Sequence, residues 1–440
     1  MFPDMTTRIG DLARRLRRSL LARNTAAMLA GSGARLLIQG VYFVLIARAL
    51  GVEQYGAFIG VVALVAILGP FASLGPGQIL IRNAARDRRT FRYSWGNALW
   101  TTGVSGSVLL GLALLLAKFV LAEKIPLTLV FLVGLSDLLL AAIVGLAAQA
   151  FQAVEELQRT ARVYVALTSA RAASALTLIL VVSHPTALSW GLFYCLSSLV
   201  GAGYAIALVC SRLGYPRLSL RQLRSDLLEG FYFAISLSSG SIYNNIDKTM
   251  LVRLATFGAA GIYAAAYRLV DLSFQPVNAL LASTYPRFFQ HGAQGLPGTK
   301  RLARRFLPFA VGYAVLAGAV LVLIAPLLPL VLGHDFSESV GALRWLSPLL
   351  LFRAVHYFLA DMLTGAGFQG LRSTIQVLIA GLNVLLNFWL IPAYSWRGAA
   401  WASLASDGAL ALGMFVAVAV LGRKRTASEA ACGVEPGAIL

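Results

Sequence analysis

Twelve apolar stretches of bilayer length run through this chain, at residues 26–49, 56–80, 94–121, 125–150, 161–182, 187–210, 231–255, 258–284, 306–332, 338–363, 372–392 and 397–421. A helix needs about twenty apolar residues to cross the hydrocarbon core, where lipid offers a bare backbone no hydrogen-bond partner. The expected fold class is therefore an all-α polytopic membrane protein with about twelve transmembrane helices. Composition agrees: 58% of residues are hydrophobic and only 12% are charged. Three cysteines (Cys195, Cys210, Cys432) and four histidines (His184, His291, His334, His356) show no disulfide or metal-ligand spacing, so no metal, cofactor or catalytic residue is read.

A net charge of +19 would suit a nucleic-acid partner, but its placement decides otherwise. Basic residues cluster at the N-terminus (Arg8, Arg14, Arg15, Arg17, Arg18, Arg23) and in alternate connections. Those connections hold Arg82 to Arg92, Arg159 and Arg162, Arg212 to Arg224, Arg287 to Arg305, then Arg372 and the tail residues Arg423, Lys424 and Arg425. The opposite connections hold only Lys124 and Arg397. By the positive-inside rule both termini are cytoplasmic, as an even span count requires. The basic excess is topological, and no nucleic acid is expected.

The same reading divides the chain. Residues 1–25 form a basic amphipathic helix, with Ile9, Leu12, Leu16 and Leu20 on one face, suited to the anionic lipids of the inner leaflet. The first span is too long for a cleaved signal and carries Arg35 and Gln39. Spans one to six (26–210) make an N-lobe and spans seven to twelve (231–421) a C-lobe. Between them lies an amphipathic linker, 211–230, and the tail 422–440 is small, polar and expected to be disordered.

The two halves echo each other. ARALGVEQYGAFIGVVALV (47–65) aligns with VRLATFGAAGIYAAAYRLV (252–270), placing Arg48 on Arg253 and Gly56 on Gly261. The offset 253 − 48 = 205 persists to Arg82 and Arg287. Homologous halves of this kind are a transporter pattern.

NIDKTML (245–251), GIYAAAYRLVDL (261–272) and TYPRF (284–288) resemble the second-half signature of the polysaccharide-biosynthesis flippases. ARALGVEQYGAF (47–58) and GPGQILIR (75–82) resemble the first-half equivalent, and NVLLNFWLIPAYSWRGAAWASLAS (383–406) the closing pair of helices. The resemblance covers essentially the whole chain. It implies the multidrug/oligosaccharidyl-lipid/polysaccharide exporter superfamily, with two six-helix lobes around a central cleft. It implies an O-antigen-type flippase of the cell inner membrane, carrying an undecaprenyl-diphosphate-linked oligosaccharide to the outer leaflet. A polysaccharide polymerase and chain-length machinery would be its protein partners.

Charges at membrane depth are costly and normally face protein or water, which makes them site candidates. The cationic candidates are Arg35, Arg171, Lys248, Arg268 and Arg353, with Arg48 and Arg253 nearer the outer ends; the acids at depth are Asp137, Asp247, Asp271, Asp361 and Asp407. The basic excess favours an anion such as a diphosphate, which Arg grips bidentately. Plainer readings compete. Arg48 and Arg253 can snorkel to the interface, and Arg268 can pair internally with Asp271 at i+3. Lys248 and its neighbour Asp247 do not share a face, so each needs another partner, while Arg171 has no acid nearby in sequence.

No GxxxxGK[ST] pattern occurs, so ATP is not used directly. A coupling ion would be H⁺ or Na⁺, with Asp247, Asp271, Asp361 and His356 as the groups able to change charge; an uncoupled flippase pulled by downstream polymerisation stays open, and a packing role is the plainer reading of His356. Pro70 and Pro76 in span two and Pro276 in span eight mark matching breaks, which are either hinges beside a midplane site or ordinary kinks. Three other functions remain in view, one of them an inactive scaffold for the polymerisation machinery. A multidrug exporter of the same fold would want an acidic cleft. A membrane-embedded oligosaccharide polymerase or ligase would want a sizeable outer loop, and the outward loops here are short.

Overall fold

The structure is a computed structural model that describes residues 20–72, 76–86, 88–219, 241 and 243–431. The basic helix expected over 1–25 lies outside the described residues up to position 19, as does the linker from 220 onward.

Leu20–Ala72 is one helical run broken at Gly51, whose φ of 68° and ψ of 172° reverse the chain. We number its parts α1 (20–50) and α2 (52–72). A residue with a Cβ is strained at that φ, so glycine makes this turn. There follow α3 (Pro76–Arg86), α4 (Phe91–Val120), α5 (Leu127–Ala153), α6 (Leu157–Val181) and α7 (Ala187–Leu213). The second half comprises α8 (243–254), α9 (Phe257–Ser273), α10 (Gln275–Gly292) and α11 (Leu296–Ile324). It closes with α12 (Ser339–Gly365), α13 (Gln369–Tyr394) and α14 (Trp396–Ala431). Helix starts carry their own signals. Thr186 and Ser189 form a capping box on α7, and the Thr256 hydroxyl accepts the Ala259 N–H at 3.0 Å to cap α9.

Nine helices among the described residues are long and apolar enough to cross a membrane. One of these, Gly31–Ala84, holds two spans. The seventh expected span begins outside the described residues, and the eighth is divided into helices of 17 and 18 residues at Phe274. Large apolar side chains face outward along the helices, among them Phe119, Leu180, Phe309, Leu323 and Trp389, while carboxylates and guanidiniums lie inside. That inverted pattern suits lipid as the surrounding solvent. The chain is an all-α polytopic membrane protein.

Helix α14 is described to Ala431, and the rest of the tail expected to be disordered lies outside the described residues. The start of the linker is held rather than loose. The Arg217 N–H donates to the Arg92 carbonyl at 2.9 Å, and the Asn97 side chain both accepts from the Ser219 N–H at 2.9 Å and donates to its carbonyl at 3.1 Å.

The chain divides into two compact units. The first is residues 1–50 with 57–245, and the second is 51–56 with 246–440. The first packs around Trp95, Leu80, Val144, Phe151 and Val163, with Ala147, Ala150, Ala202 and Ala205 letting helices approach closely. In the second, Ala259, Ala260 and Ala264 to Ala266 give α9 a small, buried face. Here a Cβ on Gly56 would overlap the Phe257 carbonyl, and one on Gly261 would overlap the Val52 carbonyl. Val52 and Phe257 are themselves 205 positions apart, as are Gly56 and Gly261, so the contact is reciprocal across the repeat.

Candidate functional site

Each unit carries its own buried polar cluster. In the first, α6 presents Arg171 and α5 presents Asp137. Arg171 Nη2 donates to Asp137 Oδ1 at 2.9 Å and to the Ser198 hydroxyl at 3.3 Å. The Tyr194 hydroxyl donates to both carboxylate oxygens, at 2.9 and 3.1 Å, and its ring lies 4.1 Å under the guanidinium. Asp137 sits on a π-helical turn, Leu135–Leu140, set between two α-helical stretches. The acid missing from the sequence neighbourhood of Arg171 therefore arrives from a different helix. Arg35, half-buried on α1, stacks over Tyr164 at 4.9 Å.

In the second unit, Tyr267 on α9 is the centre. Lys248 Nζ lies 3.6 Å from its ring centroid, the Arg353 guanidinium lies 4.9 Å from it, and Arg353 Nη2 donates to its hydroxyl. One turn earlier, the Tyr263 hydroxyl donates to Asp247, with Ser403 of α14 at 2.9 Å from the same hydroxyl. Lys248 also reaches back to Asp247 Oδ1 at 3.9 Å. This corrects the expectation that the two could not meet: four methylenes let the ammonium curl across the face its Cα does not share.

Asp271 does not take Arg268. Its Oδ1 accepts from Arg353 Nη1 at 2.9 Å instead, so the expected i+3 pair is replaced by one to α12. Arg268 is left half-buried on α9 with no ion-pair partner among the described residues. His356 and Asp407 form a second pair at 3.0 Å, almost wholly enclosed, with the histidine ring 4.4 Å from that of Tyr357. Asp361 pairs with Arg372 at 3.6 Å, and Arg372 also donates to the Thr364 hydroxyl at 2.7 Å. Arg48 and Arg253 are exposed at helix ends.

Of the three prolines, Pro276 stands beside a described helix break. Pro70 lies in the last turn of α2, Pro76 opens α3, and Pro276 is in the first turn of α10 just after the break at Phe274. Reading by residue type missed Tyr194, Tyr263, Tyr267 and Ser403. The one available signal was the i+4 spacing of Tyr263 and Tyr267, which puts two hydroxyls on one face of a helix already carrying charge.

A family model described as polysaccharide biosynthesis protein matches residues 21–291. The chain belongs to that family. No curated protein matches its sequence at a significant level. Among solved structures, an inward-facing multidrug resistance MATE family transporter of the MOP superfamily superposes with a TM-score of 0.71 at 15% identity, over 91% of this chain and 96% of the other. The lipid II flippase MurJ, in an inward closed conformation, gives 0.71 at 11% identity over 91% and 87%. A MOP superfamily transporter from Pyrococcus furiosus, described by a reversed polarity of its binding pocket, gives 0.61 at 15% identity over 91% and 97%. At these identities the likeness shows a shared fold. The family model gives the family, and the solved structures give the fold that the chain shares with these transporters.

Proposed function

We propose that this family member is a flippase of the cell inner membrane, with both termini cytoplasmic. It moves an undecaprenyl-diphosphate-linked oligosaccharide from the cytoplasmic to the outer leaflet by alternating access, for cell-surface polysaccharide synthesis. Family membership supports a role in polysaccharide assembly, and the fold is one used by transporters and by a lipid II flippase. The observation that carries the reading is Arg268. A guanidinium at membrane depth without an ion-pair partner among the described residues is expensive unless an anion visits it, and Lys248 and Arg353 lie in the same cluster around Tyr267. A diphosphate supplies the acceptor oxygens, and the prenyl tail stays in lipid. Coupling to H⁺ or Na⁺ would run through the enclosed carboxylates, Asp247 beside Tyr263 and Asp407 beside His356.

An organic-cation exporter is the less favoured reading, because Asp137, Asp247, Asp271, Asp361 and Asp407 each already hold a basic side chain. The deciding experiment reconstitutes the protein in liposomes bearing a fluorescent polyprenyl-diphosphate oligosaccharide and follows loss of label from one leaflet, with and without an ion gradient. Transport by wild type that collapses in Arg268→Ala supports the proposal. Movement of an organic cation, with the lipid left in place, overturns it.

A further inference from the structure

The Arg171–Asp137 pair leaves part of the guanidinium open and divides its carboxylate among several donors. The carboxylate meets the guanidinium end-on, through one nitrogen only: Nη2 serves both Asp137 and Ser198, while Nε is buried with no hydrogen-bond partner. The two-bond fork geometry, which is stronger and satisfies both edges of the group, is not made. Arg353 meets Asp271 through one nitrogen in the same way, and what sets the Arg171 pair apart is the sharing of its carboxylate. Both oxygens of Asp137 accept from the Tyr194 hydroxyl, and Ser136 stands 3.4 Å from Oδ1.

The backbone reinforces the point. Asp137 lies on the π turn Leu135–Leu140 in the middle of an otherwise α-helical span. A π turn inserts about one residue into the helix, swinging what lies on it by roughly 100° relative to the regular course, and such turns recur at functional sites. The other titratable groups facing the pair are Tyr42, Tyr194 and Cys195. Asp137 is the one carboxylate that faces Arg171 among the described residues.

We propose that Asp137 is a resident counter-anion, held against Arg171 until a phosphate-bearing head group displaces it, so that Asp137 sets how tightly the first unit takes an anion. The exchange is physically cheap on both sides. Arg171 keeps a negative partner throughout and gains a bidentate one, with the Nε edge filled. Asp137, once released, keeps the Tyr194 and Ser136 hydroxyls, and the Ser136–Ser198 contact at 2.7 Å holds α5 to α7. Tyr194 thus acts as a parking place for the carboxylate, which makes it a positioning residue. The phosphate chemistry rests on the flippase reading; the exchange itself concerns any anion of that geometry.

The test titrates inorganic pyrophosphate onto the full-length protein in lipid nanodiscs by calorimetry, with the liposome flipping assay run in parallel. Asp137→Asn keeps the shape and removes the competing charge, and is expected to tighten pyrophosphate binding about tenfold. Arg171→Ala is expected to abolish binding, and the double variant to look like Arg171→Ala alone. Tyr194→Phe removes the parking hydroxyl while keeping the ring, and is expected to weaken binding about threefold, which gives a readout of opposite sign should Asp137→Asn fail to fold. If Asp137→Asn binds as wild type does, or Tyr194→Phe is without effect, the displacement idea is overturned, while flipping by wild type would leave the flippase reading intact. If wild type flips nothing but the pyrophosphate pattern appears as described, the displaceable pair stands and the substrate assignment falls.

Discussion

Asp271 and Arg353 stand 82 positions apart in sequence and meet at 2.9 Å, the guanidinium 5% exposed and the carboxylate 40% exposed. That asymmetry fixes which half of the pair the fold can spare. Arg353 without Asp271 is a buried cation left with the Tyr267 hydroxyl and the more distant field of Asp407, whereas Asp271 without Arg353 still reaches polar surroundings. Asp271→Ala is therefore expected to cost about 3 kcal/mol, the low end for breaking a buried pair. Arg353→Met, which keeps most of the side-chain volume, is expected to cost less than half of that. Thermal unfolding of the purified variants in detergent checks the order. The reverse order would mean that the pair is not what holds Arg353 in place.

A second prediction concerns His356 and Asp407, 3% and 2% exposed at the side chain. Removing either alone leaves a buried polar group without its partner, while replacing both with apolar residues removes the penalty together with the bond. His356→Leu and Asp407→Leu should each destabilise, and the double variant should be more stable than the sum of the singles predicts, by more than about 1 kcal/mol. Additive effects would show that the two act independently.

The reciprocal glycine contact gives a third. Gly56→Ala and Gly261→Ala place a methyl against the carbonyls of Phe257 and Val52, backbone atoms that cannot rotate away. Each should cost about 1–3 kcal/mol through forced separation of residues 52–56 from α9. Gly258→Ala, whose new methyl would meet only ordinary contacts at 3.8 Å and beyond, is the control. Size-exclusion profiles of the solubilised variants report the difference, and equal profiles for Gly56→Ala and Gly258→Ala would contradict it.

The all-α membrane fold and the break beside Pro276 were legible because each is a property of local sequence: length, spacing and backbone chemistry. Partner choice was not. The i+3 rule correctly makes Arg268 and Asp271 neighbours on α9, but Arg353 on α12 competes for the same carboxylate and wins through its second anchor, the Tyr267 hydroxyl. Arg171 looked solitary because its acid sits 34 positions away, turned towards it by a π turn that no propensity pattern announces. The charge excess also shrinks in three dimensions. Arg48 and Arg253 are exposed at helix ends, and Arg171, Lys248 and Arg353 are already paired, which leaves Arg268, together with Arg35 over Tyr164, as the residues on which the anion argument turns.

Arg268 therefore gives the last prediction. A half-buried guanidinium with no ion-pair partner among the described residues costs the fold more than it contributes, so Arg268→Ala should leave thermal stability no lower than that of wild type. If it grips a diphosphate, the same substitution should slow flipping at least about tenfold, corresponding to loss of about 1.4 kcal/mol of a charge-assisted contact. Arg268→Lys keeps the charge but not the fork, and should recover only part of the rate. Arg372→Ala is the opposite case: its partner Asp361 is buried, so stability should fall, with flipping reduced only in proportion to the folded fraction. Flipping rates normalised to folded protein separate the two. Equal losses in Arg268→Ala and Arg372→Ala would mean that Arg268 acts through the fold and does not contact the head group.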